Sequence, residues 1–63
     1  MNKYYEVIAT LDGCDEVMFG SYVRSECEYE KRAESPCWRE EGYRNIRISK
    51  RLVEEAPDPQ IYN

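Results

Sequence analysis

A chain of 63 residues buries only about 60% of the surface its unfolded form exposes, which excludes a deep substrate pocket behind a thick core. Its net charge of −4 disfavours non-specific nucleic-acid binding and suits a partner with a basic surface. With 0 histidines it lacks the commonest general base and metal ligand, so Cys-His nucleophilic pairs and Cys2His2 zinc sites are excluded.

In chain order, residues 3–11 alternate, with Tyr5, Val7, Ala9 and Leu11 on one face and Tyr4, Glu6, Ile8 and Thr10 on the other. This pattern predicts a strand with the odd-numbered face inward. Asp12-Gly13 is a strong turn dipeptide, and with Cys14 and Asp15 it predicts a hairpin loop of about four residues. A second strand is expected over 16–22, with Gly20 marking a bulge or a close backbone approach. The helical segment follows, from Ser25 to Gly42. Ser25 with Glu28 reads as a capping box, and Gly42 as the left-handed residue that closes the helix. Ser35-Pro36 interrupts this segment, because a proline in a helix interior removes a hydrogen bond and clashes with the preceding turn. A marked kink, or a split into helices near 25–34 and 36–41, is the expectation. Tyr29, Ala33 and Cys37, spaced i, i+4, i+8 and flanked by Cys27 and Trp38, form the expected core stripe. A third strand is expected over 43–53, with Ile46 and Ile48 inward and Asn45, Arg47, Ser49 and Arg51 outward. Pro57 and Pro59 make residues 56–63 a tail of the single domain 1–63.

The order ββαβ predicts a small α+β fold, an antiparallel three-stranded sheet covered by one helical layer. Such a sheet has two edges, which are surfaces for binding or for a homodimer. No apolar run approaches the roughly 18 residues of a membrane span, and Met1-Asn2-Lys3 runs straight into Tyr4-Tyr5-Glu6 without a secretory leader. A reducing, cytoplasmic setting is therefore expected, with Cys14, Cys27 and Cys37 as free thiols. None of the three lies in a C-x2–4-C hook, so neither metal nor cofactor is expected.

Charge is unevenly distributed. Glu26, Glu28, Glu30, Glu34, Glu40 and Glu41 load the helical segment, whereas Arg44, Arg47, Lys50 and Arg51 cluster in the last strand. Glu28–Arg32 is a favourable i, i+4 pair, while Glu26–Glu30 and Glu30–Glu34 repel. Repulsion without gain to the isolated fold points outward, to a cationic partner. Glu26, Glu30 and Glu34, with Tyr22 and Tyr29 as aromatic anchors, are the candidate binding residues. The alternative site is nucleic-acid contact through Arg44, Arg47, Lys50 and Arg51, with Tyr43 placed to stack on a base. Strand arginines commonly pair with acids across a sheet, which counts against it. A paired-carboxylate enzyme would need a cleft that a domain of this size hardly provides.

The opening strand and turn from Tyr5 to Gly13, the run Val17-Met18-Phe19-Gly20-Ser21, the glutamate-rich helix and the strand 43–51 together carry a resemblance. This layout resembles small phage and mobile-element proteins, anti-CRISPR proteins in particular, with no single motif shared. The resemblance implies a non-enzymatic inhibitor in a bacterial host cytoplasm. Such a protein would block a basic, nucleic-acid-handling protein complex such as a CRISPR-Cas effector. The alternative function is a small nucleic-acid-binding or regulatory module using residues 44–51.

Overall fold

Asp12 and Gly13 both take positive φ, 51° and 81°, in the computed structural model of the chain, which describes residues 2–53. Two consecutive left-handed residues give a turn whose twist matches that of the flanking strands. The loop therefore closes in two residues rather than four: Leu11 pairs directly with Cys14. Strand β1 spans Asn2–Leu11 and β2 spans Cys14–Ser21, so β2 begins two residues earlier than expected. Helix α1 (Arg24–Glu40) and strand β3 (Arg44–Val53) complete the order ββαβ. The sheet is antiparallel with β1 in the centre, in the order β2-β1-β3. The tail expected at 56–63 lies outside the described residues.

Each outer strand carries one irregularity against β1. Val7 pairs with Phe19 and Ile8 with Val17, which leaves Met18 as an extra residue in β2. On the other side Ile8 pairs with Arg47 and Thr10 with Arg44, so Asn45 and Ile46 oppose Ala9. Asn45 sits at φ 53°, a conformation its short amide side chain tolerates better than most.

Register assigns the faces. Tyr4, Glu6 and Ile8 share one face with Gly20, Ser49 and Arg51, and Tyr5 and Val7 share the other with Phe19 and Ile48. Helix α1 covers the second face: the Cys27 thiol meets the Tyr5 carbonyl at 3.5 Å. Among the described residues Val7, Ala9 and Cys27 are fully buried there. The opposite face adds Tyr4, only 1% exposed. Its ring lies against Gly20, meets Tyr22 edge-on at 4.9 Å and carries the Arg51 guanidinium at 5.6 Å. The odd-face expectation for β1 thus holds for Val7 and Ala9, and Tyr4 is the departure from it.

Helix α1 runs unbroken through Pro36, so the expected split into two helices is not formed. Its start also differs. Val23 is the N-cap and makes no side-chain capping bond. Instead the Ser21 hydroxyl accepts from the Val23 N–H at 3.0 Å and donates to the Glu26 carboxylate at 2.6 Å. Ser25 falls inside the helix, and Glu28 pairs with Arg24 at 3.7 Å rather than with Arg32. The end is as expected. Gly42 takes φ 106°; its N–H reaches the Arg39 carbonyl and the Tyr43 N–H reaches that of Trp38, the paired closure that left-handed glycine permits.

The helix face requires a correction. Tyr29 is 71% exposed, and Ala33 and Cys37 are exposed as well. Only Tyr22 and Val23 separate β2 from α1, so the short connection and the docking of Cys27 set the rotation of the helix. Once Cys27 faces the sheet, a 3.6-residue repeat brings half-buried Lys31 and Trp38 to the same side and turns Tyr29, Ala33 and Pro36 outward.

Candidate functional site

Turning Tyr29 outward creates a surface that combines an aromatic ring with carboxylates. A shallow groove of about 290 Å3 runs between α1 and β2, lined by Phe19, Ser25, Glu26, Tyr29 and Glu30. Glu26 is fixed at the helix start by its bond from Ser21. Glu30 is half-buried and Glu34 exposed; neither joins an ion pair among the described residues. Tyr22 does not join this surface, since its ring packs edge-on against Tyr4. Phe19 and Ser25 are members that sequence reasoning did not single out. Phe19 reaches the groove because the bulge at Met18 pairs it with Val7, a register that the sequence pattern does not carry.

The basic strand is arranged differently. The Arg44 guanidinium donates to the carbonyls of Arg39 and Tyr43 at 3.2 and 2.9 Å. Arg47 donates to the Asp15 carboxylate at 2.9 Å and to the Asn45 carbonyl at 2.9 Å. Arg51 pairs with Glu6 at 3.4 Å while lying over the Tyr4 ring. Lys50 is exposed. Three of the four candidate nucleic-acid contacts therefore have intramolecular partners, and two of them, Arg47 and Arg51, pair with acids across the sheet. Asp15 shows the effect from the other side: the Thr10 hydroxyl and then Arg47 hold its carboxyl below the usual carboxylate range. Tyr43, the proposed stacking residue, is likewise engaged. Its hydroxyl donates to Glu16 at 3.1 Å, and desolvation followed by that carboxylate pushes its pKa up.

The cysteines divide by exposure, with Cys14 and Cys37 at the surface and Cys27 buried. Burial, then the nearby Glu26 charge, pushes the Cys27 thiol pKa up, so it is a weak nucleophile. Among the described residues no three acids or thiols converge as a metal would require, and no helix is long and apolar enough to cross a membrane. Comparison with protein-family models, with curated proteins and with solved structures gives no match.

Proposed function

We propose that this protein is a non-enzymatic inhibitor or adaptor that occupies a basic surface on a nucleic-acid-handling protein complex, in the manner of a phage-encoded blocker of a CRISPR-Cas effector. One observation carries the reading. The outer flank of α1 presents Tyr29, largely exposed, beside Glu26 and Glu30 over a groove floored by Phe19. An exposed tyrosine is the kind of anchor that interface hot spots favour, and the carboxylates beside it have no ion-pair partner among the described residues. Complementary charge then speeds encounter and enforces specificity. A bend of α1 at Pro36, whose ring excludes the hydrogen bond to the Arg32 carbonyl, would set the curvature of this flank. Nucleic-acid binding through β3 has less support, because Arg44, Arg47 and Arg51 already have partners.

The test is a plasmid-interference assay in bacteria, with the protein co-expressed against a panel of CRISPR-Cas effectors. Wild type is expected to restore plasmid survival against at least one effector, Glu30→Lys/Glu34→Lys to lose that protection, and Arg47→Glu to keep it. Loss with Arg47→Glu alone would move the site to the basic strand. A panel with no protected effector would sink the effector assignment.

A further inference from the structure

On the opposite flank of α1 the chemistry reverses. A groove of about 500 Å3 between α1 and β3 is lined by Arg24, Lys31 and Arg32 from the helix and by Ile46, Arg47 and Ile48 from the strand. Its size falls within the roughly 300–1,000 Å3 of small-molecule sites. Four cations gather here in a molecule of net charge −4, and Glu28 is the one carboxylate among the lining residues. Glu28 is taken by Arg24, and Arg47 by Asp15. Lys31 and Arg32 have no ion-pair partner among the described residues.

Lys31 is the informative residue. It lies half-buried on the sheet-facing side of α1, where an apolar side chain would draw the helix down onto Ile46 and Ile48. A lysine there gives up side-chain freedom and lines the groove with a cation. The Ser35 hydroxyl on the same wall donates to the Lys31 carbonyl, which leaves Lys31 and Arg32 as the groove's cations without an ion-pair partner among the described residues. The helix wall is thus cationic, and the strand wall offers two half-buried isoleucines beside Arg47.

We propose that this groove binds a small phosphorylated ligand with a planar apolar part, of the nucleoside-phosphate class. Arg32 offers a planar fork matched to phosphate oxygens and Lys31 a compact positive charge beside it. Ile46 and Ile48 supply the flat apolar wall against which a base lies. Inorganic phosphate would use only the first of these walls. A long nucleic-acid strand would extend beyond this groove over a molecule whose net charge of −4 disfavours its backbone. This site is independent of the acidic flank and uses none of its residues.

The experiment is a titration of the isotope-labelled full chain by amide NMR with AMP, inorganic phosphate, adenosine and a short single-stranded oligonucleotide. AMP is expected to shift the amides of residues 31–35 and 46–48 saturably, with affinity falling as salt rises. Phosphate and adenosine are each expected to bind at least about tenfold more weakly, each lacking one wall's contacts. Arg32→Glu, a substitution at an exposed position, should weaken AMP about tenfold or more, and Lys31→Ala similarly if its spectrum remains folded. Glu30→Lys/Glu34→Lys should leave AMP binding intact, which separates this site from the proposed partner surface. The proposal is overturned by the absence of saturable shifts at millimolar AMP, by unchanged affinity in Arg32→Glu, or by phosphate binding as tightly as AMP. Tighter binding of the oligonucleotide than of AMP would also overturn it.

Discussion

At Gly20 the absence of a side chain decides how the face opposite α1 packs. A Cβ built there would collide with the Tyr4 hydroxyl and lie 2.9 Å from its Cζ, so the ring keeps its place only because residue 20 is glycine. Gly20→Ala should therefore displace Tyr4 from Tyr22 and Arg51 and lower stability by about 1–3 kcal/mol, the usual cost of overpacking. A urea-denaturation midpoint unchanged from wild type would show that the ring can swing aside freely. Cys27 supplies a second residue-scale expectation. Its folded pKa is raised, so the unfolded thiol ionises first, from about pH 8.5 upward. The contribution of the buried neutral thiol is complete below that pH and is lost as pH climbs through the folded value. Unfolding measured at pH 7 and in mild alkali should show a fall in stability that Cys27→Val reduces. Maleimide labelling of the native protein should mark Cys14 and Cys37 quickly and Cys27 only on unfolding.

Among the elements, α1 is the one that conflicts with its own sequence. Pro36 occupies an interior position, where proline costs roughly 3 kcal/mol relative to a good helix former. Pro36→Ala should raise both stability and far-ultraviolet helical ellipticity, the stability gain reaching at most about 3 kcal/mol. A loss would mean that the ring packs in a way that offsets the missing hydrogen bond. The same element shows what sequence could reveal. The strands, the Asp12-Gly13 turn and the Gly42 closure were legible because each depends on chemistry within a few residues. The rotation of α1 was not, because it depends on Cys27 docking onto Tyr5, a contact 22 residues distant. Reading Tyr29, Ala33 and Cys37 as core followed from periodicity, which gives a helix its stripe without saying which side carries the sheet. The candidate acids were readable as a charge pattern; Phe19 beside them and the cationic groove behind them arise only from tertiary placement.

For the molecule as a whole, a thin core makes binding unusually visible. At roughly 0.05–0.15 kcal/mol per residue a chain of this length has about 3–9 kcal/mol of stability, and the few fully buried side chains among the described residues place it near the lower end. A ligand at a hundred times its Kd adds about 2.7 kcal/mol. In so small a domain each kcal/mol moves the melting temperature by about 4–8 °C, so saturation should raise it by about 10–20 °C. Glu30 lets this shift distinguish fold from function. It takes part in both repulsive pairs, with Glu26 and with Glu34, and each is worth about 0.2–0.5 kcal/mol. Glu30→Lys turns both pairs attractive, a change of about 0.8–2 kcal/mol, so the free protein should melt about 3–16 °C higher at low salt, with the gain shrinking as salt is added. With a basic partner present the order should reverse, the variant melting below wild type because its partner shift is lost. A free variant that melts lower than wild type would assign Glu30 to the fold and remove the acidic flank as the binding surface.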